Sequence, residues 1–146
     1  MQDPILSSAR FRSALKPHYI AKKEMIEINR QTTTKVEYPI YLVNAFSLNM
    51  IEGPVELQVL PLHKEETTDF LKNRKFISAI GHKEMADILT NELGLEVIHN
   101  RITIKLGKND IAIVAQYTGP RLEEGATRLP EGSQIRYYLV RKREAL

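Results

Sequence analysis

The sequence predicts one α+β domain, a mixed central β-sheet of about five strands with helices packed on it, preceded by a basic extension. Three observations carry this. Strand and helix periods alternate along one chain, in the order strand, strand, helix, helix, strand, strand, strand. Its 146 residues fit one domain of ordinary size. Its composition, 42% hydrophobic and 27% charged, is that of a chain able to bury a core and stay in water.

The elements follow in order. Residues 1–35 read as an N-terminal extension with a short basic helix from Ser8 to Leu15, a second short element from Lys22 to Asn29, and a polar linker, Gln31-Thr-Thr-Thr-Lys35. Chain termini are partly ordered by default, and this one is expected to be a solvated arm. The domain proper, residues 36–146, opens with Val36 to Val43, read as an apolar strand and expected to be buried on both faces. Val55 to Leu60 sets Val55, Leu57 and Val59 against Glu56 and Gln58, the period of a half-buried strand. Glu65 to Asn73 is a short helix with an acidic start. Lys83 to Leu93 is a second helix, with Ala86, Leu89 and Leu93 at helical spacing and Gly94 as its stop. Arg101 to Leu106 alternates Ile102, Ile104 and Leu106 as a strand. With the turn Gly107-Lys-Asn-Asp110 and the strand Ile111 to Gln116 it is predicted to form a hairpin. Ile135 to Val140 closes the sheet, and Arg141-Lys-Arg143 is read as a solvent-facing basic tail.

Composition excludes several function classes. There is no cysteine, hence no disulfide, thiolate nucleophile or thiolate metal site, which fits a reducing, cytoplasmic setting. No apolar run approaches the roughly 20 residues that span a bilayer, and Arg10, Arg12 and Lys16 interrupt any signal-like core, so no membrane partner is expected. His18, His63, His82 and His99 are too scattered for a metal cluster, and no bound metal or cofactor is expected. The net charge of +3 is unevenly placed. Residues 1–35 hold seven Lys and Arg against three Asp and Glu, whereas the other 111 hold 14 against 15. The body therefore lacks the basic field of a general duplex-binding surface, and any nucleotide must be held in a local pocket.

Three stretches carry the candidate chemistry. Tyr41 to Met50 begins as a strand and turns polar at Asn44, Ser47 and Asn49, side chains that either close a turn or offer a ligand donors and acceptors. Ile77-Ser-Ala-Ile-Gly-His82 leads into the second helix. It places Gly81 and His82 before the first turn, where free backbone N–H groups and the helix dipole favour an anion. His82 alone would be an ordinary capping histidine. The third stretch runs from Gln116 to Gly125, and its Arg121-Leu-Glu-Glu-Gly125 is echoed by Arg128-Leu-Pro-Glu-Gly132.

Together, Asn44-Ala-Phe-Ser-Leu-Asn-Met50, Ser78-Ala-Ile-Gly-His82, Asn100-Arg101, Gln116 and Arg121-Leu-Glu-Glu-Gly125 resemble the viral ring nucleases. These are anti-CRISPR proteins that degrade cyclic tetra-adenylate, the second messenger of type III CRISPR defence. The resemblance covers about residues 38–142. It implies a mixed sheet, a two-fold homodimer with the ligand pocket at its interface, and metal-independent cleavage to linear di-adenylate with a 2′,3′-cyclic phosphate. Carried over residue by residue, it makes His82 the catalytic histidine and gives Asn44, Ser47, Asn49, Arg101 and Gln116 to the substrate; Gly81 joins these substrate-binding residues through its place at the helix start. The Arg and Glu of the family's Arg-Leu-Pro-Glu-Gly motif fall on Arg121 and Glu124, where Glu123 stands in place of the proline. Arg128 and Glu131, in the copy that keeps the proline, are the alternative pair; the spacing from Gln116 favours the first.

The residue types suit such chemistry in their own right. RNA is cleaved when a 2′-hydroxyl attacks the adjacent phosphorus in line, and a protein assists by holding that geometry, stabilising phosphate charge and protonating the leaving oxygen. Histidine titrates near neutral pH and can be that acid, while arginine gives paired hydrogen bonds to phosphate oxygens. The competing reading is a binding module that sequesters a cyclic oligonucleotide, or a small DNA-binding protein using the basic arm. Because the arm lies outside the resemblance, a chain lacking residues 1–35 is expected to cleave the labelled ring at the full-length rate. Ligand capture should weaken only at low salt, where charge steering is strongest. A folded truncation that cannot cut would place the arm in the site.

Overall fold

The computed structural model describes residues 23–26, 28 and 38–143. The chain divides into two units after Glu37. Of the first, residues 23–26 and 28 are helical, within the second short element expected of the extension. The expected helix Ser8 to Leu15 and linker Gln31 to Lys35 lie outside the described residues.

The second unit is built on one sheet. Its strands are β1 (Ile40–Val43), β2 (Glu56–Leu62), β3 (Ile77–Ser78), β4 (Ile111–Thr118) and β5 (Gln134–Arg143), in the spatial order β2-β5-β4-β1-β3. Two α-helices, α1 (Lys64–Lys72) and α2 (Lys83–Leu93), and a 3₁₀ turn at Leu48–Met50 complete it. β1 runs parallel to both β3 and β4, and the β4–β5 and β2–β5 pairs are antiparallel. The expected mixed five-stranded sheet is therefore present.

Sequence pattern explains the positions. β4 lies between β1 and β5, and Ile111 to Ala115 are all buried, as a central strand covered on both faces requires. β1 is likewise apolar, with Ile40, Leu42 and Val43 buried. β2 is an outer strand, the position that tolerates Pro61, which has no N–H to give a ladder. α2 turns Met85, Ala86, Ile88, Leu89 and Leu93 inward. It ends at Gly94, whose φ of 67° is left-handed and whose N–H reaches the Thr90 carbonyl at 2.9 Å. α1 packs on α2 and on β5, burying Thr67, Phe70 and Leu71. At its start the Glu66 carboxylate accepts from the His63 N–H at 2.7 Å.

The predicted hairpin does not form. Arg101 to Leu106 pairs with no strand, and Ile111 to Val114 pair with β1 and β5 instead. The alternation was real, but its apolar residues serve a different layer. Ile104 and Leu106 pack across one face of the sheet on Val43, Ala112, Val114 and Val140, with Phe46 and Met50 beside them. The Leu106 N–H is satisfied by the Met50 carbonyl at 2.8 Å. The tight turn survives, closed by the Asp110 carboxylate on the Gly107 N–H at 2.6 Å. Arg141 to Arg143 are not a tail: they extend β5 opposite Glu56 to Gln58, and Arg141 Nε donates to Gln58 Oε1 at 2.7 Å.

Leu42, Ile113 and Leu139 point to the other face by the strand period of two and are fully buried there. Leu42→Ala is expected to lower unfolding free energy by about 2–5 kcal/mol, the cost of a core Leu-to-Ala cavity. Val59→Ala, at a half-exposed site on the outer strand, should cost under about 1 kcal/mol. Urea denaturation of the two variants checks the ordering.

Candidate functional site

Parallel pairing decides where the polar residues go. In register, Leu42 of β1 faces Ser78 of β3, and Val43 faces Val114 of β4. The chain thus leaves all three strands at one end of the sheet, at Asn44, at Ala79 to His82 and at Thr118. β5 enters beside them, with Gln116 opposite Arg136 and Thr118 opposite Gln134, so the 119–133 loop closes on the same rim. Open sheets with parallel strands commonly bind ligands at these carboxyl ends. Asn44, Ser47, Asn49, Gly81, His82, Gln116, Arg121 and Glu124 all lie on this rim or on the loops that leave it.

The first loop is a 3₁₀ turn capped as its polar residues suggest. Ser47 Oγ accepts from the Asn49 N–H at 3.1 Å, which satisfies one end group of the turn and leaves the hydroxyl proton available. Lys105 Nζ donates to the Asn49 carbonyl at 2.6 Å, bringing a cation onto this loop. Ser47 and Asn49 are exposed and Asn44 is half-buried.

His82 is the N-cap residue of α2, with φ −120° and ψ 128°. Its imidazole makes no capping hydrogen bond and is exposed, so the plain capping role does not account for it. Arg101 is also exposed. Its stem lies over Gly81, where an added Cβ would stand 3.5 Å from Arg101 Cγ. The residues before His82 are held from the side by 98–100. Ser78 Oγ donates to the Ile98 carbonyl at 2.7 Å, Asn100 Nδ2 to the Ser78 carbonyl at 2.7 Å, and the Asn100 N–H to the Ile80 carbonyl at 2.9 Å.

The repeated motif is one turn used twice. The Ala126 N–H bonds to the Glu123 carbonyl and the Ser133 N–H to the Pro130 carbonyl, each at 3.1 Å. In each, a glycine holds the third position at positive φ, 80° for Gly125 and 81° for Gly132, which only glycine adopts without strain. The first copy is tied to the His82 helix, since Glu84 Oε2 accepts from the Gly125 N–H at 3.1 Å. Farther along, Asn91 Nδ2 donates to the Thr127 carbonyl at 2.6 Å. Arg121 and Glu124 are exposed on the tied copy; Arg128 and Glu131 are exposed on and before the turn that leads into β5. Among the described residues no group of three or more His, Asp or Glu is placed to hold a metal ion. No helix there is long and apolar enough to cross a membrane.

Sequence reasoning missed Glu84, Lys105 and His99. Glu84 carried the one available signal, an acidic residue in a helix's first turn. Lys105 and His99 carried none.

The fold and rim define a small α+β domain that presents polar loops at the carboxyl ends of parallel strands. The chain belongs to the STIV B116-like family, whose model matches residues 40–139. It is 36% identical over 87 residues to "Uncharacterized protein 26" of Sulfolobus islandicus filamentous virus (isolate Iceland/Hveragerdi), a match covering 59% of this chain and 73% of that protein. Among solved structures it is similar to B116 of Sulfolobus turreted icosahedral virus, with a TM-score of 0.62 and 29% identity, over 70% of this chain and 98% of that one. Both relatives are virus proteins.

The Gly125 N–H, first among several causes, holds the Glu84 carboxyl below its usual range. A depressed folded-state pKa means that the tie favours the ionised form. Its contribution is present above the ordinary carboxylate range and is lost as pH falls through the depressed value. Glu84→Ala is expected to lower the exchange protection of the Gly125 amide at neutral pH, and acid titration of the wild type should do the same. Amide exchange by NMR checks both; equal protection in the variant would show that the tie does not hold the loop.

Proposed function

We propose that this chain is a metal-independent ring nuclease that binds cyclic tetra-adenylate as a two-fold dimer, cleaves it and so silences type III CRISPR signalling. A ribose 2′-hydroxyl attacks the adjacent phosphorus. Its proton is lost to solvent, the bond from phosphorus to the 5′-oxygen breaks, and a 2′,3′-cyclic phosphate forms. His82 as imidazolium gives its proton to the departing 5′-oxygen. Arg121 neutralises charge on the phosphate, and Glu124 orients that arginine or bonds the nucleotide. Asn44, Ser47, Asn49, Arg101, Gln116 and the N–H at Gly81 hold ribose, base and phosphate in the attack geometry.

The observation that carries this reading is the gathering of the three motif stretches on one rim, with the His82 imidazole exposed at the start of an 11-residue helix and unused by the cap. Helix N-termini favour phosphate. Support for the dimer comes from exposed apolar side chains beside site residues: Leu48, 80% exposed, lies between Ser47 and Asn49, and Ile102, 44% exposed, follows Arg101. A second copy meeting these loops would shield them and set two His82 residues against opposite phosphates of a four-nucleotide ring.

Single-turnover cleavage of labelled cyclic tetra-adenylate in EDTA tests the proposal. The wild type should yield linear di-adenylate. His82→Ala should lose about 10²–10⁴-fold in rate, the usual weight of a general acid, while keeping most ring binding. A variant within about tenfold of wild type would remove His82 from that role. Wild-type protein that retains the ring intact would instead be a sequestering module.

A further inference from the structure

We infer that His99 is a positioning residue for His82, acting through the peptide unit that joins Gly81 to His82; the inference rests on the catalytic reading above and deepens it. His99 Nε2 lies 3.0 Å from the Gly81 carbonyl oxygen. A carbonyl only accepts, so the proton of this bond is on Nε2, which fixes the ring's tautomer when neutral. The bond falls on the residue immediately before His82 in the chain.

The consequence for His82 is geometric. A residue's backbone is set by the two peptide planes that flank its Cα. The plane after His82 is held by the helix, since the His82 carbonyl accepts from the Ala86 N–H at 3.0 Å. The plane before it lies beyond the helix's own hydrogen bonds, and the His99 bond anchors it. With both planes held, φ and ψ of His82 are fixed and only its side-chain torsions remain free. That is the condition under which an exposed imidazole can be aimed at one oxygen. The same bond polarises the Gly81–His82 peptide and so strengthens the His82 N–H as a donor to an anion at the helix start.

His99 is itself well placed for this work. It pairs with Ile80 as a parallel bridge, and the next residue, Asn100, bonds both the Ile80 and Ser78 carbonyls, at 2.9 and 2.7 Å. The segment that carries the ring is therefore fastened to the strand whose end the ring steadies. His99 is exposed, so replacing it opens no cavity in the core.

His99→Phe keeps a flat ring and removes the donor. His99→Gln restores an N–H at a similar reach. In single-turnover cleavage of cyclic tetra-adenylate, the Phe variant should fall about tenfold in rate at saturating protein, the scale of a modest misalignment, with ring affinity within about twofold. The Gln variant should recover to within about threefold of wild type. Backbone NMR supplies a reading independent of activity: the His82 amide nitrogen shift, which responds to hydrogen bonding at the carbonyl of its own peptide unit, should move in the Phe variant and return toward the wild-type value in the Gln variant, with thermal melting unchanged. A Phe variant that cuts at the wild-type rate, or a loss residing wholly in binding, overturns the inference. If wild-type protein does not cut the ring, the catalytic reading fails by itself, and positioning is then judged by the His82 amide shift alone. A His82 amide shift that is the same in all three proteins overturns it.

Discussion

The parallel pairing of β1 with both of its neighbours is the constraint on which the rest depends. Were β1 reversed, Asn44 and Ser47 would emerge at the opposite end of the sheet from His82 and Gln116. Because β1 is only four residues long, the change from core to rim is abrupt: Val43 is 2% exposed, and the next residue begins the polar loop. Both faces of the sheet must be covered, one by Ile104 and Leu106 with their loop neighbours. Hydrogen-bonding side chains are thus driven to the strand ends, where backbone ladders stop and donors are available.

Much of this was legible in the residues. The helix Lys83–Leu93 matched to the residue, because its apolar spacing and Gly94 are local signals. The central strands were legible from apolar runs, but that the polar stretches after β1, β3 and β4 share one rim follows only from the parallel register of those strands. What failed was long-range. An alternating segment such as Ile102 to Leu106 has the same pattern whether it joins a sheet or lies across one, and distant partners decide which. β3 is only two residues, too short to show a period. Arg141 to Arg143 read as a solvated tail by charge alone, and the strand that pairs with them, Glu56 to Gln58, lies more than 80 residues earlier in the chain. The contacts that assemble the rim join residues 41 apart for Glu84 and Gly125, and 18 apart for Gly81 and His99. No window along the chain contains them.

The rim's loops differ in how they are secured. The Ser47 turn and the two glycine turns close on their own backbone within three residues, so their shapes are local properties. Their placement is not. The 119–133 loop is fastened to α2 at Glu84 and Asn91, and the Ser47 loop to the Lys105 segment. Local turn chemistry gives each loop its form, and a few side-chain ties set its position on the scaffold.

The two borders of the sheet bear on how such a domain can meet another copy of itself. On one side, Pro61 interrupts the row of donors along β2; on the other, the backbone at His99 and Asn100 already occupies the strand leading out of β3. Among the described residues, neither border offers an unbroken ladder for a foreign strand to extend. Association by a continuous intermolecular sheet is thereby discouraged, which protects against runaway polymerisation. Any pairing of copies would then fall to side chains on loops and faces, whose fit admits a closed pair and gives no template for a fibre.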